Sequence, residues 1–579
     1  MDNPSLPGPF TPRLVTYAAP GLNYLNTQFL GHYFRFDNPT PEFETRRIDL
    51  SEIADFDFRF DWPFDNANVP INGQLYIPND LTGNAGPYPV AVFAHGNHTP
   101  SEDSTPGYLY LCQLLATHGI IAATIDVNFL NGANRGENDG RAIVHLEHLK
   151  QFVLWNQQPE HPLFGKVDTS RFLIAGHSRG GEAVAHASLF NQMQSIQFDA
   201  FAPAVAVDGS TGLGPYQFPI QAVVAFAPTD QQYIPTTGLA TVHDNYLLMH
   251  GSRDSDVSVF QGHLAYDRSH RLDPDIPLEQ PNGFKSLLWI HGANHNFFNS
   301  EWGQESSGTI PRYAQEQIAK LYIGAIAQAQ LLGRIEFLGL LTDHRMIAEN
   351  DWLGLPVQMV SQYQTPPTLF IQHFEEPVAD LQVISVIQGT TEVVGVTAQK
   401  QLFAMAQGGG GGLLSFRRAR LDPTHHLLQD GQGVRIDWTQ PGGRYTVQFD
   451  STRINMAAFT HIALRVGQSF EPNNPRGVAQ DFTVFIHDNA NNTSFPFSTR
   501  QSLIYPDEFP QFNPSATSTD PVTVLQTTTI PLQTLQANGL NIAQLQRIDL
   551  VFDRTPTGTI YLDDIQLTNL GFLDGGQNE

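Results

Sequence analysis

The segment FLIAGHSRGGEAVAHAS, residues 172–188, sets Ser178 in the pattern Gly-x-Ser-x-Gly, with Gly176 and Gly180 two positions away on either side. An apolar strand signal precedes the serine and a run of small residues with helical character follows it. A serine on so tight a strand-to-helix turn is held in a strained conformation, and a Cβ two residues away would clash where the chain doubles back. The helix that follows points its first N–H groups and the positive end of its dipole at the serine, which favours a developing oxyanion. The chemistry this arrangement suits is nucleophilic attack by Ser178.

A serine hydroxyl is a poor nucleophile at neutral pH and needs a base within reach, itself oriented by a third group. Downstream, the strand-like YLLM runs into HGSRDSDVSV (250–259), which puts Asp254 and Asp256 just past a strand end. The strand-like LLWI then runs into HGANHNFFNSEW (291–302), with His295 in the following loop. The order serine, acid, histidine, each on a loop after a later strand, suits acyl transfer. Asp254 is the expected acid, Asp256 the alternative, His295 the base, and His291 a packed histidine. Upstream, VAVF ends in AHGNHTP (94–100), so the backbone N–H groups of Asn97 and Arg179 would form an oxyanion hole, worth about 3 kcal/mol per donor. His95 and His98 would lie behind it or touch substrate; as a zinc pair they lack a third ligand at metal spacing. His98, Phe297, Phe298 and Trp302 could wall an apolar pocket, with core packing the alternative for the three aromatics. His186, on the helix after the serine, reads as a packing residue.

The elements that must position these groups can be traced along the chain. Strand-like runs fall at 73–77, 90–93, 120–127, 172–175, 222–227, 246–249 and 287–290, with amphipathic helical stretches between them such as Arg141 to Trp155. Short apolar strands alternating with helices predict a mostly parallel sheet covered on both faces. Residues 1–45, rich in Pro, Asn and aromatics, read as an extended arm, 46–335 as the catalytic domain and 336–365 as a connector. From 366 to 579, short alternating runs at 368–374, 381–387, 445–449, 462–466, 482–486, 548–552 and 560–567 predict an all-β sandwich. The glycine run 408–412 is a loop, with no following Lys-Ser/Thr to make it a phosphate cradle.

Composition narrows the classes further. With 57 acidic against 31 basic residues the formal charge is -26, which argues against nucleic acid as a partner. Cys112 is the single cysteine, so no intramolecular disulfide can form, and its apolar surroundings (108–115) read as core. MDNPSLPGPF lacks the basic and apolar regions of a secretion signal, and no run of about 18 apolar residues occurs. The expectation is a soluble protein whose compartment stays open between cytoplasm and export. The oligomeric state is unreadable.

The elbow GHSRGG, 176–181, resembles that of chlorophyllases, and bacterial cutinases carry the related GHSMGG. Over roughly 70–330 the chain resembles the chlorophyllase, cutinase and polyester hydrolase branch of the α/β-hydrolases. That resemblance implies an α/β-hydrolase fold, the roles of nucleophile, acid and base for Ser178, Asp254 and His295, and no cofactor in the chemistry. Arg179 stands where the polyester hydrolases have Met, and their C-terminal disulfide has no cysteines here. The C-terminal part, closing on TPTGTIYLDDIQL, resembles jelly-roll, galactose-binding-like modules. Such modules imply a structural calcium, here near Asp563, Asp564 and Glu375, although an exposed strand-edge pair explains the two aspartates as well. The expected function is hydrolysis of a small-molecule or polymeric carboxylic ester through an acyl-enzyme. Two rivals remain: a peptidase or amidase on the same triad, and a non-catalytic binding protein whose sandwich is the working part.

Overall fold

The computed structural model describes residues 2–20, 28–29, 32–33, 41–56, 62–79, 86–100, 102–133, 135–198, 201–230, 242, 244–257, 260–269, 283–366, 368–374, 389–402, 432–468, 473–475, 478–490, 492–494, 496–498 and 524–571. The chain divides into two compact units, one comprising Met1–Ser269, Ile290–Leu341 and Arg345–Val357, the other His270–Trp289, Thr342–His344 and Gln358–Glu579.

In the first unit the apolar runs become strands β1 (Pro12–Ala18), β2 (Phe43–Glu44), β3 (Gly73–Pro78), β4 (Tyr88–Ala94), β5 (Ile121–Ile125), β6 (Val167–His177), β7 (Ile220–Phe226) and β8 (Asn245–Gly251). They lie in the order β8-β7-β6-β4-β5-β3-β1-β2. The pairs β4–β5, β4–β6, β6–β7 and β7–β8 are parallel, while β3 runs antiparallel to β5 and β1. Every residue of β4 and β5 is buried, which is why these strands read as unbroken apolar stretches rather than alternating ones. The stretch expected as an arm supplies β1, paired with β3 from Pro12↔Pro78 to Tyr17↔Gly73.

Registry fixes where chemistry can occur. Gly176 of β6 lies opposite Ala94 of β4 and Ala225 of β7, so the turns after these strands open on the same edge. From β4 the chain goes to β5 on one side and later to β6 on the other, and ligands bind outside such a switch point.

Helices α1 (Leu109–Thr117), α2 (Glu137–Gln157), α3 (Arg179–Phe190) and α4 (Arg312–Leu332) accompany this sheet. Helix α2 starts four residues before the apolar periodicity does. Its first turn is polar, entered through Gly136 in the left-handed region (φ 64), and carries Glu137 and Asp139 where the dipole favours anions. Helix α4 ends on Gly333 in the same left-handed conformation. Cys112 is buried on α1, and burial pushes its thiol up. Among the described residues no helix is long and apolar enough to cross a membrane.

The second unit includes two antiparallel sheets. One has the order Thr397–Leu402, Gln432–Trp438, Gly558–Thr568, His461–Gln468, Gln526–Pro531, with Thr368–Gln372 also paired to Gly558–Thr568. The other has the order Thr390–Val394, Gly443–Gln448, Leu545–Phe552, Thr483–Asp488, Phe497–Ser498. Alternation places Ile462, Leu464, Val466, Ile548, Leu550, Phe552, Ile560 and Leu562 in one shared core, as expected of a sandwich. The runs expected at 381–387 and 408–412 lie outside the described residues.

Candidate active site

Strand β6 delivers Ser178 at φ 58, ψ −122, a backbone conformation that costs about 1–3 kcal/mol and persists only where the surroundings over-determine it. Three kinds of contact do so. The Ser178 N–H donates to the Phe226 carbonyl at 2.9 Å, and its carbonyl accepts from the N–H groups of Gly181 and Glu182 at 2.9 and 3.1 Å. A Cβ on Gly176 would stand 2.0 Å from the Gly180 carbonyl oxygen, and one on Gly180 would stand 2.6 Å from that of His95. The turn after β4 reaches the serine itself: a Cβ on Gly96 would lie 2.5 Å from the Ser178 Cβ.

Strand β8 ends at Gly251, and Asp254 follows in a loop that buries it completely. One of its carboxylate oxygens accepts from the backbone N–H of Val257 at 2.7 Å and of Asp256 at 3.0 Å. The other lies 2.7 Å from Nδ1 of His295 and 3.4 Å from Nε2 of His250. Burial alone would raise the Asp254 pKa, but His295, His250 and the Val257 N–H outweigh it, so the group is held below its ordinary range. For His295, burial opposes protonation, yet Asp254, with Asp256 and Glu305 further off, raises the imidazole to about 9. The bond to Asp254 places the ring proton on Nδ1 and leaves Nε2 as the lone-pair nitrogen. Buried Nε2 has no hydrogen-bond partner, so the Ser178 hydroxyl does not yet engage it. Hydrogen bonds between catalytic groups often tighten only when substrate is present. Asp256, the alternative acid, is 64% exposed and stands 3.5 Å from Nε2 rather than behind the ring.

Two groups that sequence reasoning passed over hold this pair. Glu305 accepts from the backbone N–H groups of His295 and Asn296 at 2.6 and 3.2 Å, fixing the loop that carries His295. His250 flanks Asp254 on the same carboxylate oxygen that meets His295. A histidine just before Gly251 was visible in the sequence; a glutamate ten residues beyond His295 gave no signal.

Around the serine, His95 is fully buried, with Nδ1 2.8 Å from the Gly96 carbonyl and Nε2 accepting from the Val127 N–H at 3.2 Å. Burial and the nearby Arg141 lower it to about 3, so it is a neutral structural ring. The Asn97 side-chain oxygen accepts from the Gly132 N–H at 2.9 Å. His98 pairs with Glu102 at 2.6 Å and stacks on Trp302 at 4.8 Å between ring centroids. Trp302 also lies 4.9 Å from the His177 ring, and its indole N–H donates to the Ser104 hydroxyl at 2.9 Å. Phe298 packs against Phe226 and His177, whereas Phe297 lies under the Arg312 guanidinium at 4.3 Å. His291 is buried. His186 faces Asp139 at 3.2 Å, and with Glu182 nearby its pKa is raised in spite of burial, so it takes part in a polar cluster rather than simple packing.

In the second unit, Arg465 reaches both Asp563 and Asp564, at 2.9 and 3.0 Å. A protein guanidinium thus stands where a calcium ion would have to bind. Glu375 lies outside the described residues. Among the described residues no group of three or more His, Cys, Asp or Glu is placed to hold a metal ion.

Residues 67–243 match the family model described as Chlorophyllase. The match takes in β4, the Asn97 turn, α2 and the Ser178 turn, and ends before Asp254 and His295. No curated protein matches the chain significantly.

Proposed function

We propose that this chain, whose residues 67–243 match the model of the Chlorophyllase family of carboxylic ester hydrolases, cleaves an ester through an acyl-enzyme on Ser178 without a cofactor. His295 Nε2 takes the Ser178 proton as Oγ attacks the ester carbonyl. The N–H groups of Asn97 and Arg179 hold the resulting oxyanion. His295 returns the proton to the leaving alcohol, and the acyl group stays on Ser178. A water molecule, deprotonated by the same ring, then attacks the acyl-enzyme, and His295 returns that proton to Ser178 Oγ as the bond to the acyl carbon breaks and the carboxylic acid leaves. Asp254 keeps the ring in the tautomer that accepts at Nε2 and stabilises the imidazolium formed in each half-reaction.

The observation that carries this reading is the buried Nε2 of His295, without a hydrogen-bond partner while Nδ1 is tied to Asp254, on a ring 4.7 Å from that of His177, the residue before a serine in strained backbone. We read residues 46–335 as the body of the catalytic domain, with β1 and β2 from the preceding stretch completing its sheet, and a calcium ion at Asp563 and Asp564 forms no part of the reading because it would have to displace Arg465.

The test is hydrolysis of p-nitrophenyl acetate, butyrate, octanoate and palmitate, of chlorophyll as the ester that the family's name implies, and of the matching p-nitroanilides, by wild type beside Ser178→Ala. Ester turnover that the variant lacks is the expected result. Turnover of anilides alone would move the function to amide hydrolysis, and no Ser178-dependent turnover would leave the sandwich as the working part.

A further inference from the structure

Arg141 and Glu137, one helical turn apart on α2, are both fully buried, and their side chains stand 2.9 Å apart. Burying two charges is costly unless each is paired and hydrogen-bonded, so such a pair needs a use. Its partners indicate one. Arg141 donates through one terminal nitrogen to the backbone carbonyls of His95 and Val127, at 3.2 and 3.4 Å. Through the other it donates to the Asn131 side chain at 2.5 Å and to Glu137. The second carboxylate oxygen of Glu137 accepts from the guanidinium of Arg179. Asn97, meanwhile, is fastened by its side chain to the Gly132 N–H, one residue beyond the Asn131 that Arg141 grips.

Apart from the bond to the Val127 carbonyl, the ends of this network lead toward the two proposed oxyanion donors. One arm holds the His95 carbonyl and the loop that holds Asn97; the other holds the side chain of Arg179. Relying on the esterase reading of Ser178, we propose that Arg141, Glu137 and Arg179 form a brace that fixes the separation of the Asn97 and Arg179 backbone N–H groups. Their part in catalysis is to position the oxyanion hole. Arg179 then contributes twice, its N–H to the oxyanion and its side chain to holding that N–H in place. A methionine at this position could do only the first.

A positioning role predicts a loss of transition-state binding with little change in substrate binding. Arg179→Met cuts the brace at its partly exposed end and leaves the buried Glu137–Arg141 pair intact. Glu137→Gln removes the charge at its centre, and Arg179→Lys restores a donor. We expect Arg179→Met to lower kcat for p-nitrophenyl butyrate by roughly 10–100-fold with KM changed less than about threefold. Affinity for a trifluoromethyl ketone, which forms a tetrahedral oxyanion on the serine, should fall in proportion to kcat/KM. Arg179→Lys should recover most of both. If Glu137→Gln does not fold, Arg179→Met carries the test.

Wild-type kcat and ketone affinity in Arg179→Met would overturn the brace, as would equal losses in an unfolding-prone protein that Arg179→Lys does not rescue. The rate of Ser178 labelling by a fluorophosphonate gives a reading independent of substrate. A wild type that labels but turns over no ester sinks the esterase assignment, while the ratio of labelling rates between Arg179→Met and wild type still decides the brace. A wild type that neither labels nor turns over ester overturns both.

Discussion

Gly96→Ala adds one methyl group where the turn after β4 abuts Ser178, the proposed nucleophile. The new Cβ would lie 2.5 Å from the Ser178 Cβ, 2.7 Å from the His177 carbonyl oxygen and 3.1 Å from the Ser178 hydroxyl oxygen. Carbon atoms pack at about 3.5–4.0 Å, so the turn and the serine must separate by about 1 Å. Gly96 is not among the glycines with positive φ, which makes the effect steric rather than conformational. The neighbour of Gly96 is Asn97, so the displaced atoms are the proposed nucleophile and one of the two proposed oxyanion donors. A misplacement of about 1 Å can cost about a hundredfold in rate, or about 2.7 kcal/mol of barrier. Overpacking should cost about 1–3 kcal/mol of stability besides. We expect kcat for p-nitrophenyl butyrate to fall about a hundredfold with KM nearly unchanged and a cooperative melting transition retained. Gly303→Ala is the matched control, since a Cβ there meets nothing within 4 Å. A Gly96→Ala protein with wild-type kcat would refute the claim that this turn abuts the reacting serine.

Asp254→Asn should lower kcat by about 10⁴, because the amide no longer fixes the accepting tautomer of His295, while Asp256→Asn, at an exposed position, should change it by no more than about fivefold; steady-state kinetics on the two variants separate the acids, and the reverse ranking would sink the assignment. With His295 raised to about 9 by Asp254, the ring is protonated on the acid side and cannot accept the Ser178 proton, so kcat/KM should fall as pH falls, with a midpoint above 6.5 that drops in Asp254→Asn. The same shift contributes stability that is fully present below pH 6.5 and is lost as pH rises through about 9; thermal melts across that window check the sign. In the sandwich, EDTA should leave the melting transition where it is, while Arg465→Ala, which strands two buried carboxylates, should cost about 3 kcal/mol; a chelator-sensitive melt would contradict this.

What could be read from the sequence was whatever a single local constraint imposes. Gly176 and Gly180 are required by the turn they flank, so the elbow was legible. So were Asp254 and His295, each a few residues past an apolar run that becomes a strand or a strand end. Buried strands declared themselves by their apolarity, whereas Gln526–Pro531, with Thr527, Thr528 and Thr529 in its middle, carried too weak an alternation to be seen. The brace was invisible for a different reason. Glu137 and Arg141 at helical spacing look like an ordinary solvent-facing ion pair, and only tertiary packing takes both out of water. The same holds for Arg465, whose position between Asp563 and Asp564 depends on two strands about a hundred residues apart. Phe298 read equally well as pocket or core; its ring packs on Phe226 of β7 and on His177.

The proposed chemistry rests on one atom, the Oγ of Ser178, acting as a nucleophile under the control of His295. Reaction with a fluorophosphonate followed by peptide mass analysis tests that directly. A single adduct is expected on the peptide containing Ser178, absent in Ser178→Ala and formed at least about a thousandfold more slowly in His295→Ala. An adduct on another residue, or one that forms in the His295→Ala variant as fast as in wild type, would contradict it.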